Sequence, residues 1–200
     1  MVVATKSLPV SCLVYLCTTL ACFLAAGCVS PPIDNACCAL PQETRIVHKQ
    51  RRTADGNGLI TEDSVAVLPG GREVEDGISK TYYLHNGQVL CLGNYCMGEK
   101  DGVWRRWGID GKLRLLETYR HGSYDGAVVT FDHDSGDVLV LELYVQGIDH
   151  ALSVHFHQNY RPARIQHRSS GGISGAVLEF HEHGMPSRFA EYSDDKLNGM

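Results

Sequence analysis

The stretch "YRHGSYDG", Tyr119 to Gly126, decides how this chain is read. The same frame returns as "YCMGEKDG" from Tyr95 and "YVQGIDHA" from Tyr144, and in weaker form as "RSSGGISG" from Arg168 and "YSDDKLNG" from Tyr192. The five starts are 24, 25, 24 and 24 residues apart. Self-similarity at so fixed a period marks a repeat architecture, in which each copy is one supersecondary unit.

The second glycine of each unit gives an origin: Gly77, Gly102, Gly126, Ala151, Gly175 and Gly199. Five places on, an aromatic always follows: Tyr82, Trp107, Phe131, Phe156 and Phe180. Nine or ten places on stand Gly87, Gly111, Gly136 and Gly184; the unit of Ala151 breaks this with Asn159, eight places on. An apolar stretch such as "KLRLLETY" or "DVLVLELY" then runs to the closing tyrosine. This spacing predicts two strands per unit. "GVWRRW" is one strand, "GIDG" a turn and "KLRLLETY" the return. Asn86-Gly87 and Asp110-Gly111 suit hairpin turns because they reach positive φ cheaply. Alternation puts Leu113, Leu115, Glu117 and Tyr119 on one strand face. The glycine pair, Gly98/Gly102 or Gly122/Gly126, makes the tight connection to the next hairpin, where a side chain would clash. The expected fold is all-β: an elongated single-layer antiparallel meander of stacked β-hairpins, roughly ten strands long, its core supplied by the recurring aromatics and tyrosines.

The unit "YCMGEKDGVWRRWGIDGKLRLLETYRHGSYDG" resembles the MORN repeat, and more closely the variant MORN repeats of bacterial YwqK-family antitoxins. The glycine pair, the spacing of Trp104 and Trp107 and the Asp110-Gly111 turn carry the likeness, which extends over about residues 75–200. The resemblance implies a single-layer β-sheet that acts as a scaffold for protein or lipid contacts. It implies no catalytic residue and no cofactor. The structural residues of the repeat are then Gly98, Gly102, Trp104, Trp107, Gly122, Gly126, Phe131, Phe156, Gly175 and Phe180.

The N-terminal part reads differently. Residues 1–27 have one cation, Lys6, an apolar run broken by Pro9, Ser11, Thr18 and Thr19, and then small residues. That is a secretory signal rather than a spanning helix. Its ending "LAAGC" resembles a bacterial lipobox, with Ala25 where Leu is usual, and implies cleavage before Cys28 and lipid on Cys28. The expected location is the cell membrane or outer membrane, lipid-anchored on its extracytoplasmic side. Residues 28–74 are expected to be a tether, partly disordered, carrying the basic cluster "TRIVHKQRR" and a short strand at "SVAVL". An antitoxin acting on a cytoplasmic toxin does not suit an exported lipoprotein; an immunity factor against an envelope-acting toxin would.

Four cysteines remain beyond the signal and the lipid: Cys37, Cys38, Cys91 and Cys96. Neighbouring Cys37 and Cys38 would close a strained ring, and Cys91 and Cys96 on one extended strand stand too far apart. Cross-pairing between the two sets and four reduced thiols remain open. "TADGNGLITEDS", Thr53 to Ser64, resembles a calcium loop but lacks the first-place Asp and the twelfth-place Glu, and a turn explains the same residues. A net charge of −5 with no obviously basic face argues against nucleic acid, and the ten histidines raise the question of a metal site. Asp132, His157 and His181 fall at one repeat position and could form a histidine rim for a metal-dependent hydrolase, against the reading of a polar turn rim. No nucleophile motif stands out, so the expected function is non-enzymatic: a membrane-anchored scaffold with an unidentified protein partner. One expected contact is strand pairing at the C-terminal edge, where Ser187 to Tyr192 has no following hairpin.

Overall fold

The computed structural model describes residues 40–198 apart from 57, 170 and 171, and for 148–151 the backbone alone. Thirteen strands form one antiparallel sheet in strict sequence order. They are β1 (Arg45–Arg52), β2 (Leu59–Val67), β3 (Glu73–Tyr82), β4 (Val89–Cys96), β5 (Glu99–Trp107), β6 (Leu113–Arg120) and β7 (Ser123–Phe131). The remainder are β8 (Val138–Val145), β9 (Ile148–Phe156), β10 (Pro162–Ser169), β11 (Gly172–Phe180), β12 (Pro186–Ser193) and β13 (Lys196–Asn198). Among the described residues there is no helix and no second layer.

The sheet begins before the repeat does. β1 and β2 lie within the stretch expected to be a tether, and they pair from Arg45↔Val67 to Arg52↔Leu59. The repeat could not reveal them, because β1 is a charged edge strand without the glycine frame. The calcium-like loop is the turn between them: Thr53 N–H donates to the Gly58 carbonyl at 2.8 Å and Gly56 N–H to the Thr53 carbonyl at 2.9 Å. The C-terminal edge is also not as expected. β13 pairs with β12 over Ser193↔Lys196 to Glu191↔Asn198.

The opening octapeptide now has a physical explanation. Its first glycine is the second residue of a two-residue hairpin turn with both φ positive: Met97-Gly98 (51°, 89°), His121-Gly122 (48°, 77°) and Gln146-Gly147 (52°, 69°). That turn matches the twist of the flanking strands. In the last copy Asp194-Asp195 take the same shape without glycine (48°, 63°). The second glycine sits at a bulge. Between Glu117↔Val128 and Tyr119↔Tyr124, β7 advances two residues more than β6. The same slip occurs at Gly77, Gly102 and Gly175. At Gly126 (φ 123°) a Cβ would come 3.0 Å from Thr118.

The bulge turns the preceding aspartate toward the next turn in the stack. Asp76 accepts from Met97 N–H at 3.0 Å, Asp101 from His121 N–H at 3.4 Å and Asp125 from Gln146 N–H at 3.1 Å. Backbone bonds run alongside: Gly98 N–H to Glu75 O at 2.7 Å, Gly122 N–H to Lys100 O at 2.9 Å and Gly147 N–H to Tyr124 O at 2.7 Å. A second ladder joins the opposite turns, where Tyr83 donates to the Trp107 carbonyl at 3.0 Å, His157 to that of Phe180 at 2.9 Å and Asn159 to that of Glu182 at 2.7 Å. These bonds require equivalent turns to lie side by side, which fixes the period. Positive φ in the unit of Ala151 falls on Tyr160 (62°), not on Asn159.

Candidate functional site

Residues opposite each other in an antiparallel ladder share a face. The register strings Trp104, Glu117, Val128, Glu142, Ser153, Gln166, Val177 and Ala190 into one row across β5–β12. On the reverse face, Leu116, Val129, Leu141, Val154, Ile165, Leu178 and Phe189 make a second row. The first row is mixed and the second is apolar throughout.

The aromatics expected to be the core belong to the apolar face and are only half-buried. Trp107, Phe131, Phe156 and Phe180 flank the aliphatic row near the hairpin turns, opposite Leu113, Val138, Pro162 and Pro186. Buried positions lie three places earlier: Trp104 at 5% exposure, Val128 at 8%, Ser153 at 1% and Val177 at 2%. Leu113 parts from Leu115, Glu117 and Tyr119, because a bulge lets Trp107 face Leu113 while Arg106 faces Leu115.

The mixed face carries a ladder of aromatic rings and carboxylates. Tyr95, Trp104, Tyr119, Tyr124 and Tyr144 follow one another at centroid distances of 5.0, 6.5, 4.7 and 5.0 Å. Buried Glu117 accepts from Tyr124 at 2.5 Å and Tyr119 at 3.0 Å, and the Arg106 guanidinium lies 3.7 Å from its other oxygen. Lys100 sits over the Trp104 and Tyr119 rings at 4.6 and 4.7 Å. Burial, then the bonds to Tyr124 and Glu117, push the Tyr119 hydroxyl well above its ordinary pKa. Burial likewise raises Tyr124, as does its bond to Glu117. A carboxylate holding two hydroxyl donors and a guanidinium charge, beside phenols held protonated, is arranged as an internal brace. Further along, Ser153 shares a hydrogen bond with His155 at 3.3 Å, but Ser153 is too buried to meet a substrate. Burial and the neighbouring Arg164 depress the His155 pKa.

Glycines 98, 102, 122, 126 and 175 all take positive φ at turns and bulges. The histidine rim does not form: His157 is bound to a carbonyl, and Asp132 accepts from Asp134 N–H at 2.9 Å and Ser135 N–H at 2.8 Å within its own turn. Among the described residues no three His, Cys, Asp or Glu side chains are placed to hold a metal ion. Cys91 is a free thiol whose pKa burial pushes up, and Cys96 is disulfide-bonded, so the two do not pair together. Cys28, Cys37 and Cys38 lie outside the described residues. The buried carboxylate and the aspartate–turn ladder escaped sequence reading; the Asp of each "DG" pair, Asp76, Asp101 and Asp125, was the available signal.

No family model matches the chain, and no curated protein matches it. Among solved structures it is similar to an alternansucrase in complex with isomaltononaose, at 9% identity, covering 74% of this chain and 18% of that one, with a TM-score of 0.14. A likeness at that score carries no argument, and the chain spans less than a fifth of that protein's length.

Proposed function

We propose that this chain is a non-enzymatic binding scaffold of the MORN-repeat kind, held at a membrane by lipid on Cys28 and presenting its sheet to a protein partner outside the cytoplasm. The observation that supports this reading is the aliphatic face. Its row runs through β6–β12, Phe189 is 61% exposed, and no second layer covers it among the described residues. A sheet with one continuous apolar face gains by burying it against another element; Val129 and Leu141 are already buried within this row, the flanking positions are half-buried, and Phe189 leaves its C-terminal end exposed. The catalytic alternative draws no support from the mixed face, where the carboxylates and phenols satisfy one another.

The test is a photocrosslinking amino acid placed in intact cells at Phe189 or at its neighbour Arg188. Arg188 pairs with Glu179 and Phe189 with Leu178, so the two side chains leave opposite faces. Crosslinks to a protein at Phe189 and none at Arg188 are expected. Equal yields at both positions would dismiss the aliphatic face as the contact surface. In the same cells Cys28→Ser should lose incorporation of a palmitate analogue and leave the membrane fraction; unchanged labelling would remove the lipid anchor from the proposal.

A further inference from the structure

The two ends of the sheet are built differently. At the C-terminal end β13 is three residues long, follows the Asp194-Asp195 turn and covers only part of β12, whose first residue is Pro186. Short strands, charge and proline are the usual means of blunting an edge. At the other end β1 has eight residues and no proline, and its register with β2 is unbroken from Arg45 to Arg51. β1 pairs with β2 on one side, and among the described residues nothing pairs with its outer side. Every second residue there turns an N–H and a C=O outward, a template for one more strand.

The side chains of β1 divide by face. Arg45, Lys49 and Arg51 lie on the face of Asp63 and Thr61, and Ile46, His48 and Gln50 lie on the other. Lys49 is paired with Glu73. Arg45 and Arg51 are exposed and make no ion pair among the described residues. Of the carboxylates on that face, Asp63 accepts from Ser79 at 2.5 Å, Glu73 is held by Lys49, and Glu75 lines the groove with Arg51; Glu62, on the opposite face, accepts from Tyr82 at 2.5 Å and Gln50 at 2.9 Å. The edge therefore presents guanidinium charge that its own sheet does not neutralise.

A groove borders β1 on each face. One of about 290 Å³ is lined by His48, Gln50, Glu62, Ser64, Ile78 and Lys80. One of about 420 Å³ is lined by Lys49, Arg51, Thr61, Asp63, Ser79 and Tyr95. An added strand sends alternate side chains to opposite faces, so it would meet both grooves at once.

From this edge, its unneutralised charge and the paired grooves, we infer that β1 takes up an extended acidic segment of a partner protein as a further strand. Its carboxylates stand beside Arg45 and Arg51, on the face where Val47 and the Glu73-paired Lys49 lie between them, and small or apolar side chains stand beside Ile46 and His48. Backbone pairing supplies the docking and the arginines select the sequence. The inference rests on the scaffold reading and names a second surface for it, away from the aliphatic face.

The experiment uses the full chain and a fluorescent nine-residue peptide of alternating Glu and Val, with binding read by anisotropy and amide exchange read across β1. Binding should slow exchange in β1. Replacing every Glu by Lys should abolish binding, as should N-methylation of alternate residues along the pairing edge. The Arg45→Glu/Arg51→Glu variant, its fold checked by circular dichroism, should bind at least about tenfold more weakly, a change of about 1.4 kcal/mol. Absence of binding, or equal affinity for the N-methylated peptide, would overturn strand addition, the latter leaving only diffuse charge attraction. Protection of β1 that rises with chain concentration before any peptide is added would overturn it in favour of a second copy on the edge. Crosslinking at Phe189 does not depend on β1, so failure of the peptide with crosslinking retained ends this inference and leaves the scaffold reading in place.

Discussion

Replacing Gly93 with alanine tests the packing of the mixed face at its tightest point. The Trp104 indole lies across the Gly93 backbone, so a Cβ added there would fall 2.5 Å from Cε3 and nearer still to Cδ2 and Cε2. The ring cannot simply swing aside. Its Nε1 donates to the Asn94 carbonyl at 3.1 Å, Tyr95 packs edge-on at 5.0 Å, and Lys100 covers it at 4.6 Å. Restoring an ordinary carbon–carbon separation of about 3.5–4.0 Å moves the ring by about 1.5–2 Å. That strain costs about 1–3 kcal/mol, and loss of the Nε1 bond adds about 1 kcal/mol. The smaller entropy of an unfolded alanine returns about 0.4–1 kcal/mol. The net expectation is about 1–3.5 kcal/mol, or a melting point lower by about 2–14 °C for a chain of this size. Thermal unfolding followed by tryptophan emission measures it, with a red shift as the indole reaches water. The double-mutant cycle decides the cause. In a Trp104→Leu background, Gly93→Ala should cost almost nothing. An equal cost in both backgrounds, or less than about 0.5 kcal/mol in the parent, refutes the contact as the reason for glycine.

Three other expectations concern the repeat. Asp76→Ala leaves the Met97 N–H without its side-chain acceptor and should lower stability by about 1 kcal/mol, whereas Asp76→Asn should stay near the parent in urea unfolding; equal losses would discount the aspartate ladder. Phe131→Ala should cost less than the roughly 3–5 kcal/mol of a fully buried phenylalanine, because Phe131 is half-buried, and Asp134→Ala, whose side chain is 96% exposed, should change melting little. His155 has a depressed pKa in the folded chain, so below its ordinary value of 6.5 the unfolded state takes up the proton first. Stability should therefore fall as pH drops from about 7 to about 5, and His155→Gln should flatten part of that fall in denaturant titrations; an unchanged slope would show that His155 does not contribute.

The chain's own sequence determined the period, the all-β architecture and the turn positions. Those features rest on local conformation: Gly98, Gly122 and Gly147 sit where φ is positive, and the residues that permit a turn are at the turn. What faces what was decided only by the tertiary structure. Side-chain direction alternates along a strand, so the one-residue bulge between Arg106 and Trp107 reassigns what lies beyond it, and Leu113 joined Trp107 instead of Leu115. Burial of Glu117, Ser153 and Gln166 depends on strands laid on both sides, and no single stretch records its neighbours' register. The strands β1 and β2 carry no glycine frame and pair because a growing sheet satisfies their backbone groups. The link from Asp76, Asp101 and Asp125 to turns 20 or 21 residues on exists only once hairpins stack, since a hydrogen bond across repeats is a property of their packing and not of either repeat alone.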